Sequence, residues 1–158
     1  MCDDVVTRGI ETEDTYRLRS AVLRPNRPLE TCFFSGDDES STVHFGAFQN
    51  DRLIGIASLY NVPCGAMGDR SGLQIRGMAV EPEVRGLGFG RCLVNRCIQH
   101  SRRGATNLVW CNARSTAVEF YRELGFKTVG NEFEIPEVGP HLVMVYDTNK
   151  DVSDGALS

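Results

Sequence analysis

The length, composition and charge of this chain are those of an ordinary globular domain. Its 158 residues are enough to bury a hydrophobic core without disulfide or metal cross-links, and 41% hydrophobic with 24% charged residues exclude a disordered or fibrous protein. The chain has neither a run of about 18 apolar residues nor the basic-then-apolar start of a signal peptide. We therefore expect a cytoplasmic protein with no membrane partner.

The cysteines predict neither a metal centre nor a disulfide framework. There is no Cys-x-x-Cys pair and no ligand-like histidine spacing, so we expect no metal ion. We expect the thiols to be reduced and mostly buried. They are Cys2, Cys32, Cys64, Cys92, Cys97 and Cys111.

Charge is distributed unevenly along the chain. The formal net charge is −4, yet no Asp or Glu occurs between Val84 and Val118. That stretch contains Arg85, Arg91, Arg96, Arg102, Arg103 and Arg114. A local basic zone on an acidic protein favours a small polyanionic ligand over nucleic acid, which usually requires a broader basic face with interleaved aromatic residues. A solvated helix face also explains the charges when they are considered alone.

The N-terminal segment is predicted to form a strand and a helix. Val5 to Ile10 can form the strand, and the helix opens at Thr12, a cap-type residue followed by two acids. Leu18, Ala21 and Val22 are predicted to share its buried face. The next proline ends the helix.

Three strands are predicted in the middle of the chain. Residues 43–49 and 52–62 are rich in β-branched and aromatic side chains, and Asn50-Asp51 between them is a two-residue hairpin signal. Leu73 to Val80 forms the third strand, because the proline that follows cannot continue a ladder as a donor.

The second half of the chain is predicted to alternate helices and strands. An amphipathic helix spans Gly90 to Arg103, and a short apolar strand spans Asn107 to Cys111. A further helix begins at the capping box Thr116-Ala-Val-Glu119 and ends at Gly125. The closing strands span Lys127 to Ile135 and His141 to Asp147.

The predicted element order is β-α-β-β-β-α-β-α-β-β, which indicates an α/β or α+β fold in which helices cover a sheet. We expect residues 1–148 to form one domain, because no internal repeat or second domain is visible. Residues 149–158 carry no pattern and are predicted to be a disordered tail.

The segment from Met78 to Arg91 is the most informative for function. It contains a strand, a short connector, glycines at alternate positions and the start of a helix. Gly86, Gly88 and Gly90 allow the backbone to curl so that several N–H groups point inward, and the helix adds the positive end of its dipole. This arrangement predicts a phosphate-binding turn.

Two well-known phosphate-binding motifs do not match this turn. A P-loop requires Gly-Lys-Ser/Thr, whereas the sequence here is Gly88-Phe-Gly-Arg91. A dinucleotide fingerprint requires G-x-G-x-x-G directly after a strand and an acid about twenty residues later, and no acid follows before Glu119.

Arg85-Gly-Leu-Gly-Phe-Gly90 instead resembles the Arg/Gln-x-x-Gly-x-Gly/Ala signature of the GNAT superfamily of N-acetyltransferases. Arg76-Gly-Met-Ala-Val80 and Phe120-Tyr-Arg-Glu-Leu-Gly-Phe126 are similar to the strand and second signature of that family. The resemblance runs from about Arg52 to Asp147. It implies a mixed, mostly antiparallel sheet flanked by helices, and transfer of an acetyl group from acetyl-CoA to an amine by direct attack in a ternary complex.

The resemblance also implies which residues bind acetyl-CoA. The strand end contacts the pantetheine arm and the thioester carbonyl, and the glycine-rich turn binds the pyrophosphate through backbone N–H groups. Asn112 is a further candidate contact, although many members have asparagine seven residues before the family tyrosine, where this chain has Arg114. The binding residues are Met78, Ala79, Val80, Arg85, Gly86, Leu87, Gly88, Phe89, Gly90, Arg91 and Asn112.

Tyr121 matches the tyrosine that stands near the sulfur of coenzyme A in this family. The departing thiolate needs a proton donor, and a neutral phenol remains one at pH 7. The alternative is that Tyr121 only packs beside Phe120. No single general base is evident, so Glu81, Glu132, Glu134, His141 and a water relay remain open.

The predicted partners follow from this chemistry. The acceptor is an amine-bearing small molecule or a protein amine, and Glu132, Glu134 and Glu137 favour a cationic one. Nucleic acid is not expected as a partner, and a homodimer is left open. The competing hypothesis is a module that binds acyl-CoA without catalysis.

Overall fold

The computed structural model describes residues 5–149. Their contacts divide the chain into two compact units. The first runs up to Tyr60 and resumes from Ile75 to Gln99, and the second comprises Asn61–Gln74 and the chain from His100 onward. The single-domain expectation for residues 1–148 stays a prediction. Apart from Asn149, the tail predicted to be disordered lies outside the described residues.

The fold class and the element order predicted from the sequence are confirmed. Seven strands form a mixed sheet in the order β1-β2-β3-β4-β5-β7-β6. The pairs β1-β2, β2-β3, β5-β7 and β6-β7 are antiparallel, and β4-β5 is parallel. The strands are β1 Val6–Ile10, β2 Val43–Gln49, β3 Arg52–Asn61, β4 Leu73–Val80, β5 Leu108–Arg114, β6 Lys127–Ile135 and β7 Gly139–Asp147.

The helices are less regular than the strands. The first helical stretch consists of a 3-10 turn Thr12–Thr15, α1 Tyr16–Leu18 and a π-helical turn Arg19–Leu23. The longer α2 spans Phe89–Arg103, and α3 spans Val118–Glu123. Shorter 3-10 turns occur at Leu29–Cys32, Gly65–Met67, Pro82–Val84 and Ser115–Ala117.

The first helical stretch buries most of the predicted face and one unexpected side chain. Leu18 is fully buried and Val22 packs against the same cluster, as predicted, but Ala21 is exposed and Arg19 is buried. The π-helical turn from Arg19 widens the helix and changes its phase, so the 3.6-residue period no longer predicts which side chains face inward.

Arg19 is fully buried and forms an ion pair with Asp37, with N–O distances of 2.7 and 3.0 Å. It also donates to Cys32 O, Ser58 Oγ and Tyr60 Oη at 2.9 to 3.1 Å. Burial alone would raise the pKa of Asp37, but hydrogen bonds from Arg19, Tyr60 and the Phe34 amide outweigh it and hold that pKa below its usual value. Burial raises the pKa of Tyr60 to about 12. This network attaches the loop that carries Asp37 to the first helical stretch and to β3.

Two predicted boundaries in the second unit are wrong. The strand predicted from Asn107 to Cys111 is β5, and its ladder with β7 extends to Arg114, which pairs with His141. The capping box predicted at Thr116 is absent, because a 3-10 turn precedes α3 and its N-terminus has no side-chain cap. Gly125 does follow the end of α3, with φ +102°.

The cysteines depart from expectation at one position. Cys32, Cys64, Cys97 and Cys111 are free and buried, but Cys92 is disulfide-bonded, so the prediction of reduced thiols is wrong for Cys92. Cys2 lies outside the described residues. Burial raises the pKa of the Cys97 thiol to about 12, which keeps it protonated and unreactive.

Candidate active site

The strand end predicted to hold the thioester belongs to β4. Ala79 is buried, whereas Met78 and Val80 are half-buried. The amide of Glu81 donates a 2.8 Å hydrogen bond to Ile54 O and so closes the pairing of β4 with β3. Beyond this bond the chain leaves the sheet and enters the 3-10 turn Pro82–Val84.

The glycine-rich turn has the backbone that the sequence predicted at two of its three glycines. Gly86 and Gly88 have φ values of +81° and +93°, which L side chains rarely adopt. A Cβ built at either position would meet no atom within 4 Å. The protein itself therefore leaves the space above this turn open for a ligand. Gly90, in contrast, lies within the first turn of α2, which begins at Phe89, and does not bend the chain.

The turn has the chemistry that a phosphate group, such as the pyrophosphate of acetyl-CoA, requires. The N–H groups of the first turn of a helix have no partner within the helix, and the helix dipole is positive there. The first turn of α2 contains no acidic residue. Leu87 is 63% exposed, and Arg85 directs its Nε to the Val80 carbonyl at 3.3 Å, so the turn is anchored to the end of β4. Gly90 and Arg91 occupy that first helical turn.

Tyr121 lies in the second unit, at the end of α3, and is 7% exposed. Its ring contacts Phe120 and Phe126, with centroid distances of 5.0 and 5.2 Å. The side chains of Tyr121 and Cys111 are hydrogen-bonded. Burial raises the pKa of Cys111 to about 12 despite this bond, so Cys111 is a neutral thiol at pH 7.

Cys111 is a neighbour of Tyr121 that the sequence analysis missed. It was predicted only as a buried thiol in a short strand. Val109, Cys111 and Ala113 alternate along β5 and are all buried, so strand periodicity could have placed Cys111 on the inner face. Asn112 occupies the opposite alternation and is exposed, paired in register with Val143.

The base candidates differ in their surroundings. Arg17 and Arg52 pair with the Glu81 carboxylate at 2.7 and 3.4 Å, and the Arg17 hydrogen bond lowers the pKa of Glu81. Such a carboxylate binds a proton poorly. Glu132 accepts a hydrogen bond from Ser115 at 3.0 Å, and Glu134 is exposed.

His141 is 4% exposed, and its ring lies near that of Phe133, with a centroid distance of 5.9 Å and an angle of 33° between the ring planes. Its Nδ1 lies 2.8 Å from Gly139 O. A carbonyl oxygen only accepts hydrogen bonds, so Nδ1 carries a hydrogen, and the neutral form of such a ring has its lone pair at Nε2.

One cavity of the first unit lies away from the strand end. It measures about 550 Å³ and is lined by Val5, Val6, Arg8, Phe48, Gln49, Asn50, Asp51, Leu87 and Phe89. Of the glycine-rich turn and the start of α2, only Leu87 and Phe89 line this cavity. The candidate site is therefore defined by the backbone at the end of β4 and in the turn. Among residues 5–149, no group of His, Cys, Asp and Glu side chains could hold a metal ion, and no helix is long and apolar enough to cross a membrane.

Comparison with known proteins agrees with this geometry. The model of the acetyltransferase (GNAT) domain matches residues 30–139. The uncharacterized N-acetyltransferase YitI of Bacillus subtilis is 34% identical over 137 residues, which cover 87% of this chain and 92% of the relative. The peptidyl-lysine N-acetyltransferase YjaB of Escherichia coli is 35% identical over 69 residues, which cover 44% of this chain and 45% of the relative.

Solved structures share the fold. Escherichia coli ElaA superposes with a TM-score of 0.73 at 21% identity, covering 90% of this chain and 99% of that chain. Arabidopsis thaliana NAA60 in complex with acetyl-CoA gives a TM-score of 0.72 at 16% identity, covering 92% and 99%. The chain therefore belongs to the GNAT acetyltransferase family, and the protein is an acetyl-CoA-dependent N-acetyltransferase.

Proposed function

We propose that this protein transfers the acetyl group by direct attack of an acceptor amine on the thioester of acetyl-CoA within a ternary complex, in the cytoplasm. The observation that carries the proposal is the pair of left-handed glycines, Gly86 and Gly88, which face open space directly before the N-terminus of α2. In this proposal, backbone N–H groups from Arg85 to Arg91 bind the pyrophosphate. The strand end Met78–Val80 holds the pantetheine arm and polarises the thioester carbonyl, with Asn112 as a further contact.

Tyr121 is the proposed proton donor to the departing thiolate. The phenol O–H of Tyr121 donates to the Cys111 sulfur, because this bond lowers the pKa of Cys111. A thiol sulfur is a weak acceptor, so the O–H can leave it for the departing thiolate, which accepts more strongly. The aromatic contacts of Tyr121 hold the ring, so little entropy is lost when the hydroxyl meets its target.

His141 is the proposed proton acceptor for the amine, which must lose a proton before it attacks. Its Nδ1 hydrogen bond to Gly139 O fixes the tautomer, and no described residue is hydrogen-bonded to Nε2. The lowered pKa of Glu81 and its two arginine partners argue against Glu81 in this role.

Release of the coenzyme A thiol tests the proposal. We expect wild-type protein with acetyl-CoA and a panel of amines (amino acids, polyamines, aminosugars and short peptides) to release thiol well above the amine-free rate with at least one acceptor. A protein that binds acetyl-CoA in calorimetry but releases thiol with no acceptor class would be a binding module and not an enzyme.

The acceptor cannot be carried over from relatives. YjaB is named for peptidyl-lysine, and a Trypanosoma brucei brucei relative, 32% identical over 48% of this chain, is named for glucosamine 6-phosphate. Because relatives this similar are named for such different amines, the acceptor has to be argued from the residues of this chain.

A further inference from the structure

Three guanidinium groups surround a single aromatic ring in the first unit. The Cζ atoms of Arg19, Arg76 and Arg24 lie 4.0, 5.4 and 5.5 Å from the centroid of the Phe34 ring. Arg76 also lies 4.9 Å from the centroid of the Tyr60 ring. We call Arg19, Arg24, Phe34 and Arg76 the Phe34 cluster.

The cluster carries positive charge that no described residue neutralises by an ion pair with Arg24 or Arg76. Arg19 is paired with Asp37, but within residues 5–149 neither Arg24 nor Arg76 has a carboxylate within 4.0 Å. Their side-chain hydrogen bonds go only to main-chain oxygens, from Arg24 to Leu23 O at 3.1 Å and from Arg76 to Ser35 O at 3.4 Å. Two half-buried guanidinium groups therefore retain most of their five N–H donors for another acceptor.

A buried donor in the same cluster also lacks a partner. The Nε of Arg19 is completely buried. Among the buried side-chain nitrogen and oxygen atoms of the described residues, it alone has no hydrogen-bond partner. A Cβ built at Gly77 would lie 3.4 Å from this Nε and 3.0 Å from the Phe34 ring. The unsatisfied N–H thus lies against β4, which is the strand that carries Arg76.

The cluster is next to the proposed chemistry. Arg76 lies two residues before Met78 on β4, and Gly77 between them has φ +64°, which interrupts the regular alternation of the strand. At about 3.3 Å per residue, Arg76 is roughly 7 to 13 Å along the strand from the Met78–Val80 backbone. That separation corresponds to the length of a small amine whose anionic group lies several bonds from its nitrogen.

We propose that Arg24 and Arg76 bind the anionic group of the acceptor, which is therefore a small amine bearing a carboxylate or a phosphate. The inference rests on the proposed function, because it places the amine at the end of β4. Forked guanidinium donors match the planar carboxylate and the phosphate oxygens, and half-burial strengthens the attraction. The acceptor charge is then opposite to the one that Glu132, Glu134 and Glu137 favoured in the sequence.

Matched pairs of acceptors test the charge preference. Glucosamine and glucosamine 6-phosphate form the phosphate arm, and 6-aminohexanamide and 6-aminohexanoate form the carboxylate arm. We expect kcat/KM for the anionic member to exceed that for its partner by about 10- to 100-fold in one arm, which identifies the anion. The preference should shrink as KCl rises, because salt screens the attraction. Ratios near 1 in both arms would overturn the proposal and leave the acetyltransferase function intact.

Variants test the two arginines. Arg24→Gln and Arg76→Gln should lower the preference ratio about 10-fold each, and Arg76→Lys should restore part of it because the charge remains. Arg27→Gln is the matched control, since Arg27 is exposed in the same segment. Melting temperature and acetyl-CoA affinity monitor folding. A preference that survives in both glutamine variants would overturn the assignment.

Direct binding separates the two proposals if no acceptor is acetylated. Glucosamine 6-phosphate and 6-aminohexanoate are titrated by calorimetry into wild-type protein saturated with coenzyme A. If a probe binds wild-type protein and Arg76→Gln abolishes this binding, the anion site is supported even though the proposed acetyltransferase activity fails. Absence of binding by both probes overturns the site.

Discussion

The main-chain amide of Phe126 donates a 3.1 Å hydrogen bond to the carbonyl oxygen of Tyr121, and the two rings lie 5.2 Å apart. With the 3.0 Å bond from Gly125 N to Arg122 O, this is a Schellman motif, including its hydrophobic contact across the helix end. The Phe-Tyr-x-x-x-Gly-Phe spacing thus places the residues that end α3. It fixes the orientation of Tyr121 as well as the end of α3.

Gly125→Ala should destabilise the protein by about 1–3 kcal/mol, because an L residue at φ +102° is strained and the added Cβ would lie 3.0 Å from the Tyr146 ring. Gly130→Ala is the matched control, since Gly130 also has a positive φ but open space around it. Thermal unfolding of both variants separates strain from steric contact. Equal losses would show that the Tyr146 contact costs nothing.

Gly88→Ala should weaken acetyl-CoA binding about 10-fold or more and cost only about 1 kcal/mol of stability, because the protein itself leaves the site open. Gly68→Ala provides the control, with φ +65° and equally open surroundings. Calorimetric titration with acetyl-CoA measures the effect. If both variants bind acetyl-CoA as tightly as wild type, the turn does not contact the ligand.

Tyr121→Phe should lower kcat about 100-fold and leave the melting temperature nearly constant, since the ring contacts remain and a thiol is a weak hydrogen-bond partner. Tyr60→Phe should instead lower the melting temperature, because its hydroxyl donates to the buried Asp37 carboxylate at 2.6 Å. A kcat for Tyr121→Phe within about twofold of wild type would exclude Tyr121 as the acid.

His141→Asn should lower kcat about 10- to 100-fold without changing acetyl-CoA affinity. Asparagine can keep an N–H near the position of Nδ1 for Gly139 O, but it supplies no basic nitrogen at Nε2. Glu132→Gln serves as the comparison and should retain wild-type kcat. Unchanged turnover in His141→Asn would favour a water relay.

Acid should reduce stability through Asp37. Its pKa is lowered in the folded protein, so the unfolded chain binds the proton more readily as pH falls below about 4, and stability is lost towards the folded pKa. The stabilising contribution is complete above about pH 5. Asp37→Asn should therefore be much less stable than wild type at pH 7 and closer to it at pH 3. A stability gap that is constant across pH would contradict this assignment.

Sequence patterns predicted what depends on local chemistry. β4 and β6 match their predicted ranges because proline and the flanking turns end them. Asn50 and Asp51 have φ values of +51° and +67°, as expected for a tight hairpin turn. Gly86 and Gly88 were recognisable because their backbone conformation requires glycine.

Features that depend on distant partners could not be predicted. β5 extends through the polar residues Asn112 and Arg114 because β7 supplies hydrogen-bonding partners, which no local pattern reveals. In the sequence, Arg19 resembles a residue on the surface of a helix. It is buried because Asp37 and Tyr60, 18 and 41 residues away, form hydrogen bonds with it in the interior. The contact of Cys111 with Tyr121 likewise joins two elements through tertiary structure.

The buried Arg19 limits how the loop around Asp37 can be exchanged in this enzyme. Its guanidinium joins the loop around Asp37 to two residues of β3, Ser58 and Tyr60. A graft that replaces residues 33–42 with the loop of another acetyltransferase and omits an acid at position 37 would leave a buried cation without its counter-ion. The expected cost is about 3–5 kcal/mol, a large part of the stability of an ordinary domain. Chimeric enzymes therefore need to import the acid with the loop or replace Arg19 in the same step.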